Sequence, residues 1–278
     1  MEISIILVSY NTKNMTRDCL KSIYQFTQGV DFEVFVVDNN SHDGSADMIE
    51  QEFPQVRLIR NHDNKGFGAA NNIAIRESKA KYVFLLNTDT LLLSNSIKEF
   101  YDFMEKEENQ NTGACGGILI DKNGEPQTFG GKFPSAGGIF FKMFGLDKIF
   151  KNFYNKHYRI AIKDVSITPD FISGAALFLR KNVLDKVGVF DEKFFLYYEE
   201  TDLCKRIKNA GFDISFLKYV KIVHLYSQSP IQSINQLKIY AHSQCYYYKK
   251  HVGIVIFIIM KIYNYFKILS AKSKIKGQ

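Results

Sequence analysis

Five apolar residues, Tyr82-Val-Phe-Leu-Leu86, run directly into Asn87-Thr88-Asp89. A short, unbroken apolar run is the pattern of a strand buried on both faces, as in a parallel sheet covered by helices. Such sheets bind ligands beyond the carboxyl ends of their strands, and Asn87-Thr88-Asp89 stands at such an end. An acid there can hold a divalent cation, which can in turn hold a diphosphate. It can equally cap a following helix, since Asp favours helix starts.

The chain before this point repeats one scheme. Ile3-Ser-Ile-Ile-Leu-Val-Ser9 reads as a strand ending in Tyr10-Asn11, and a helical apolar pattern follows over 14–27. Phe32-Glu-Val-Phe-Val-Val37 reads as a second strand, ending in Asp38-Asn39-Asn40. Val56-Arg-Leu-Ile-Arg60 is a third, ending in Asn61, and the glycine-bearing Asn64-Lys65-Gly66-Phe67-Gly68 leads into a helix over 69–78. Strand and helix alternate through short links, which predicts βαβ units and a mostly parallel sheet. Its polar strand ends then converge on one edge.

Further on, the pattern predicts a helix over 95–108, a strand over 113–120 and a hairpin turn at Asp121–Gly124. From Phe129 to Lys163 the periodicity fades into Phe, Tyr, Gly and Lys, a long loop or small excursion of the kind that is usually functional. Phe171–Leu179 reads as another buried strand. Ile214–Leu217 and Lys221–Leu225 read as two short strands, the second carrying His224, and 233–250 as a tyrosine-rich helix.

With 46% hydrophobic residues among 278, the chain can bury a large core. Its net charge of +7 is unevenly placed: seven Lys/Arg face one acid between Lys132 and Lys163, and only basic charges follow His251. That favours anionic partners such as nucleotides, diphosphates or anionic lipid. The four cysteines show no paired spacing and read as reduced, buried thiols. No signal peptide is read, and the apolar run from Val252, broken at Lys261, reads as too short to span a bilayer.

Among residues able to do chemistry, Asp38 ends a strand as ribose- or base-gripping acids do, or serves a turn rich in Asn, Ser and Gly. No G-x-G-x-x-G follows the first strand, so an ordinary dinucleotide fold is not expected. Glu199, Glu200 and Asp202 crowd one helix start after the apolar 194–198 run. Acids favour that place, and Asp202 can pair with Arg206. A carboxylate there can equally be a general base. His224, in an apolar strand, becomes a metal ligand only if the fold brings it to Asp89.

Taken in order, Val8-Ser9-Tyr10-Asn11, Val37-Asp38-Asn39-Asn40-Ser41, Asn61 with Asn64–Gly68 and Ala70-Asn71-Asn72, and Leu86-Asn87-Thr88-Asp89 form an ordered set. It continues with Ser173-Gly174-Ala175, Gly188–Glu192 with Phe194-Phe195, Tyr198–Leu203 and His224. Over about residues 3 to 229 the chain resembles the family 2 glycosyltransferases of GT-A fold, and within them the bacterial rhamnosyltransferase-like group.

The resemblance implies an α/β GT-A domain, a Rossmann-like nucleotide-binding sheet with helices on both faces, over 1–230. A basic, aromatic helical extension occupies 231–278. It implies an inverting transfer from a dTDP- or UDP-sugar, rhamnose-like or another hexose, to a hydroxyl of a lipid-linked or polysaccharide acceptor in surface-glycan synthesis. Donor-nucleotide contacts fall to Ser9, Tyr10, Asn11, Asp38, Asn40, Asn61, Lys65, Gly66, Asn71, Asn87, Thr88 and Asp89. Ser173, Gly174 and Ala175 fall on the acceptor side. Mg²⁺ or Mn²⁺ is implied on Asp89 and His224, and the base is one of Glu199, Glu200 and Asp202. Asn87 replaces the first Asp of the family's D-x-D motif, leaving one carboxylate for the metal. The expected setting is the cytoplasm or the inner membrane face, with no nucleic-acid partner; a homodimer stays open. So do a sugar-nucleotide nucleotidyltransferase and a non-catalytic nucleotide-binding protein of the same fold.

Overall fold

The computed structural model describes residues 1–225 and 233–276. The expected boundary at 230–231, and the end of the matched stretch at 226–229, lie outside the described residues.

The strands are β1 (Ile3–Ser9), β2 (Phe32–Asp38), β3 (Arg57–Arg60), β4 (Tyr82–Leu86), β5 (Thr90–Leu92), β6 (Thr112–Ile120), β7 (Gly130–Gly131), β8 (Phe171–Ile172), β9 (Ala176–Arg180) and β10 (Asp213–His224). The helices are α1 (Lys13–Phe26), α2 (Ser45–Glu52), α3 (Phe67–Glu77), α4 (Ser96–Glu105), α5 (Ala136–Met143), α6 (Leu146–Ile149), α7 (Lys151–His157), α8 (Lys181–Val187), α9 (Glu199–Asn209), α10 (Ile234–His251) and α11 (Ile254–Lys276).

Eight strands form one sheet in the order β3-β2-β1-β4-β9-β6-β10-β5. The first four are parallel, as the βαβ pattern predicts; β9 runs antiparallel between β4 and β6, and β5 antiparallel beside β10. All five residues of β4 are buried, and they divide by alternation between two cores. Tyr82, Phe84 and Leu86 face the side covered by α1, α2 and α4, with Cys19, Ile49 and Phe100. Val83 and Leu85 face α3, α8 and α9, with Ala74, Leu184 and Leu203. An apolar run without polar alternation is what burial on both faces demands.

Two expectations are corrected here, and one open choice is decided. The two short strands before residue 225 are one strand, β10. Its register on β6 shifts between Leu217 and Lys221, so one bulged strand reads in sequence as two. The stretch over 129–163 is a folded excursion: β7 and β8 pair at its base, and α5, α6 and α7 fold between them. At that base the backbones nearly touch; a Cβ on Gly131 would lie 1.7 Å from the Ile160 carbonyl oxygen, so only glycine fits there.

The apolar tail does not stop at Lys261. Helix α11 continues through it, and Ile254–Ser273, 20 residues of mean hydropathy 1.6, is long and apolar enough by length and composition to cross a membrane. Its exposed face carries Ile254, Ile258, Ile262, Phe266 and Leu269. Met260 and Asn264 are buried, and Asn264 donates a 3.0 Å hydrogen bond to Gln244 of α10.

Candidate functional site

The polar strand ends do converge. Ser9 and Asp38 are register partners at the ends of β1 and β2, and Asn87 follows β4 between them and β9. Asp38 is 3% exposed. Its Oδ2 accepts the Ser41 backbone N–H at 2.9 Å, while its Oδ1 is buried with no hydrogen-bond partner. The turn role is therefore real, and one acceptor remains over. Asn11 and Asn40 adopt left-handed backbones, with φ of 55° and 66°. Asn11 Oδ1 accepts the His42 N–H, and Ser41 Oγ accepts the Asn11 N–H, so the two loops brace each other. Tyr10 is 47% exposed beside them.

Asn61 supports the neighbouring loop. Its Nδ2 donates to Asn39 Oδ1, and Asn39 Nδ2 donates to the Gly66 carbonyl. Gly66 has φ 81° and ψ −174°, a region essentially closed to other residues; an added Cβ would sit 2.1 Å from the Phe195 carbonyl oxygen. Lys65 pairs with Asp63 on the surface, and Asn71 donates to the Phe67 carbonyl inside α3. Thr88 Oγ1 donates to Thr12 Oγ1.

Asp89 is followed by β5, not by a helix, so helix capping is not its structural role. The antiparallel β5–β10 ladder pairs Thr90 with His224, and the Asp89 carbonyl accepts the Leu225 N–H at 2.8 Å. This brings His224 Nε2 to 3.3 Å from Asp89 Oδ1. His224 is 7% exposed, and its Nδ1 is buried without a partner. Two such donors at this spacing suit adjacent positions around one divalent cation. Among the described residues no group of three or more His, Cys, Asp or Glu surrounds a common point. A cation here would complete its shell with water and phosphate oxygens, the habit of Mg²⁺ in phosphate sites.

Glu199 and Glu200 open α9. The residues before them, Tyr197 and Tyr198, both have positive φ, 72° and 71°. Non-glycine residues rarely adopt that conformation, and each such residue costs about 1–3 kcal/mol. Helix α10 holds the turn in place. Tyr198 OH accepts from Gln244 Nε2 and bonds Tyr240 OH, and Ser243 Oγ donates to the Leu196 carbonyl. Phe194, Tyr198 and Tyr247 form a small aromatic core beneath it. The result is two carboxylates forced into an apolar wall. Burial raises the Glu200 pKa to about 7. Burial first, and the Glu200 charge second, raise that of Glu199 well above the usual range. Glu199 Oε2 has no partner.

Asp202 has the opposite surroundings. Its side chain is 0% exposed, takes ion pairs from Arg206 at 2.9 Å and Lys250 at 2.7 Å, and accepts a hydrogen bond from His251 Nε2 at 2.7 Å. Burial alone would raise its pKa; the hydrogen bonds from His251 and Lys250 and the Arg206 charge lower it to about 2. The i,i+4 pair with Arg206 forms as the spacing suggests, and α10 is tied to α9 through the same carboxylate.

One cavity of about 830 Å³ joins these parts. Its walls include Asn87, Asp89 and His224, then Ser173, Gly174 and Ala175, then Glu199 and Glu200. Ser9, Tyr10, Asn11, Asp38, Asn40, Asn61, Lys65, Gly66, Asn71, Thr88 and Asp202 are not among its lining residues; the β1 end loop meets Thr88, between the lining residues Asn87 and Asp89, through the hydrogen bond to Thr12. Several lining residues escaped sequence reading: Lys142, Tyr154, Asn155 and Arg159 of the excursion, and Tyr240 of α10. Their only sequence signal is the basic and aromatic bias of 129–163 and of 233–250.

A model of the family described as glycosyl transferase family 2 matches residues 4–187. The chain belongs to that family. It is 25% identical over 228 residues to the low-salt glycan biosynthesis hexosyltransferase Agl10 of Haloferax volcanii, covering 80% of this chain and 67% of that one. It is 25% identical over 208 residues to an N-acetylglucosaminyl-diphospho-decaprenol L-rhamnosyltransferase of Mycobacterium tuberculosis, covering 69% and 66%. The chain thus spans about two thirds of the length of these relatives. Among solved structures it is similar to the mannosyltransferase PcManGT of Pyrobaculum calidifontis in complex with GDP-Man and Mn²⁺. That likeness has TM-score 0.61 at 15% identity and covers 90% of this chain and 63% of that one. The fold is GT-A, with C-terminal helices added.

The half-buried Glu200 gives a stability test that needs no substrate. A carboxyl whose folded pKa lies above its unfolded one binds more protons folded than unfolded between the two values. Stability therefore falls as pH rises from about 4.5 through 7. Glu200→Gln removes that loss. Its melting temperature should exceed wild type by at least about 2 °C at pH 8, the gap closing at pH 4.5. Equal melting temperatures at pH 8 would mean that Glu200 ionises freely in solvent.

Proposed function

We propose that this glycosyltransferase is a metal-dependent, inverting enzyme that moves a hexose, rhamnose-like or otherwise, from a dTDP- or UDP-sugar to a hydroxyl of a lipid-linked or polysaccharide acceptor. One observation carries the reading: a single cavity is lined by the Asp89–His224 pair and by the Glu199–Glu200 pair. Diphosphate departure and hydroxyl activation need those two groups within one substrate's reach.

The donor lies along the sheet edge. Asp38 takes the pyrimidine ring N–H on its unpartnered Oδ1, since a buried acceptor without a partner is costly. Tyr10 packs near that ring, and the β1 and β2 end loops with Asn11 and Asn40 hold the nucleoside. Asp89 and His224 would hold Mg²⁺ or Mn²⁺ with the diphosphate, and a cation bound there would offset the charge that grows on the leaving group. Asn87 supplies a neutral carboxamide where a second carboxylate would add charge.

Glu200 takes the acceptor hydroxyl proton as that oxygen bonds to the anomeric carbon from the face opposite the diphosphate. The carbon–oxygen bond to phosphate breaks with inversion, and the nucleoside diphosphate leaves. A base with pKa about 7 suits proton transfer near neutrality. Glu199, its carboxyl held above the usual range by burial and by the Glu200 charge, lies beside it. Asp202, fully ion-paired, positions the start of α9. Ser173, Gly174 and Ala175 border the acceptor; Gly174 leaves room against Phe67 and Glu200, with an added Cβ 3.2 Å from Phe67.

A two-variant comparison tests the division of labour. Asp89→Ala should abolish Mn²⁺-dependent UDP or dTDP binding in calorimetry. Glu200→Gln should leave that affinity near normal while lowering turnover about 10²–10⁴-fold. Unchanged metal-dependent affinity in Asp89→Ala, or an active Glu200→Gln enzyme, would overturn the assignment.

The setting we infer is the inner face of a membrane. Helix α11 is tied to α10 by the Asn264–Gln244 hydrogen bond, and we place its exposed face along the membrane surface. Its exposed apolar face is flanked by Lys261, Lys267 and Lys272, a composition suited to the headgroup region. Replacing Ile258, Ile262 and Phe266 with Ser should abolish flotation with anionic liposomes. Wild-type flotation should weaken with salt, because attraction to the lipid surface is screened within about 10 Å at 0.1 M. A triple variant that floats as wild type does would place the contact elsewhere.

A further inference from the structure

The excursion between β7 and β8 supplies two cations to the cavity that the donor reading leaves unused. Lys142 from α5 and Arg159 from just beyond α7 both line it, beside Asn155 and the buried Tyr154. The cavity also holds Asp89, Glu199 and Glu200, yet neither cation pairs with any of them. Arg159 makes one hydrogen bond, from Nε to the Ala161 carbonyl at 2.8 Å; among the described residues its two terminal nitrogens donate to nothing. Lys142 has no ion pair among the described residues. Lys132, at the base of the excursion, does pair, with Asp170 at 3.0 Å.

The outer surface of the same short helices has a different character. Phe140 is 53% exposed, Phe144 64%, Ile149 71% and Phe150 54%. Exposed Lys148, Lys151 and Lys156 lie among them. Soluble surfaces rarely gather so many large apolar groups without a partner, and aromatics mixed with lysine suit a lipid headgroup layer. One element thus presents exposed apolar surface beside two cations that border the cavity. The complementary ligand has a long apolar chain joined directly to an anionic group, with a sugar beyond it.

We propose that Lys142 and Arg159 form a phosphate subsite for a lipid-linked acceptor, namely a long-chain prenyl diphosphate carrying the sugar to be extended. The proposal rests on the glycosyltransferase reading and deepens its acceptor side. Arg159 offers a planar pair of donors for phosphate oxygens, and Lys142 a mobile point charge. The exposed aromatics seat the chain at the bilayer surface, and the sugar hydroxyl reaches Glu200 across the cavity. The cations bind the acceptor diphosphate and take no part in bond making.

The test uses the full chain saturated with UDP and Mn²⁺, so that the donor site is filled. Farnesyl diphosphate, inorganic diphosphate and farnesol are titrated by calorimetry. Farnesyl diphosphate should bind, the other two at least tenfold more weakly. The double variant Lys142→Gln/Arg159→Gln should lose at least tenfold in farnesyl diphosphate affinity while keeping wild-type UDP affinity and melting temperature. Wild-type farnesyl diphosphate affinity in the double variant would overturn the subsite. Inorganic diphosphate binding as tightly as farnesyl diphosphate would overturn the lipid assignment. Loss of UDP affinity in the double variant would give the cations to the donor. If wild-type protein binds neither UDP nor dTDP with Mn²⁺, the donor reading itself fails, separately from these outcomes.

Discussion

The site depends on a three-residue ladder. β5 pairs antiparallel with the end of β10, Thr90 opposite His224, and this alone brings the imidazole to Asp89. Both sides of the ladder are anchored in one core, which holds Phe84, Leu86, Leu92 and Ile222. β4, which feeds Asp89, is buried along its whole length, and β10 runs beside β6 with Ile222 packed in the core under α4. Slipping β10 by one residue would turn His224 to the opposite face. The buried apolar neighbours, each worth about 1.5–3 kcal/mol, oppose that slip. The Asp89–His224 pair is thereby fixed by strand register and not by the conformation of a loop.

The opposite wall is fixed by strain. Two consecutive tyrosines in the left-handed region aim the start of α9 into the cavity. The cost is offset by the hydrogen bonds of Tyr198 to Tyr240 and Gln244 and by the aromatic core of Phe194, Tyr198 and Tyr247. Helix α10 is therefore part of the catalytic domain in mechanical terms, tied again through Lys250 and His251 to Asp202. Asn264 of α11 bonds Gln244, which bonds Tyr198. The helix with the exposed apolar face is thus two hydrogen bonds from the turn that carries Glu200.

Much of this was legible in sequence because it is local. The apolar run of β4, the polar strand ends and the alternation of strand and helix each show in a few consecutive residues, and they yield the parallel half of the sheet and the edge where Asp38 and Asp89 stand. What escaped is long-range or conformational. That β10 is a single strand depends on a bulge against β6. That Asp89 precedes a strand depends on β5 finding β10 far along the chain. Positive φ at Tyr197 and Tyr198 leaves no mark in composition, since tyrosine is an ordinary strand or core residue. The excursion showed its bias in charge and aromatics but not its three helices, whose packing rests on ring contacts such as Phe141 with Phe153 and Tyr158. Lys261 interrupts an apolar run on paper, yet on α11 it falls on the exposed side, where it breaks nothing.

The central claim is that one divalent cation and a nucleoside diphosphate meet at Asp89 and His224, within the cavity that also holds Glu200. Crystals grown with UDP and Mn²⁺, measured near the manganese absorption edge, test it most directly. The account predicts one strong anomalous peak, bonded to an Asp89 carboxylate oxygen, to a ring nitrogen of His224 and to phosphate oxygens of UDP. A manganese peak bound to neither residue, or ordered UDP whose diphosphate lies away from them, would contradict it.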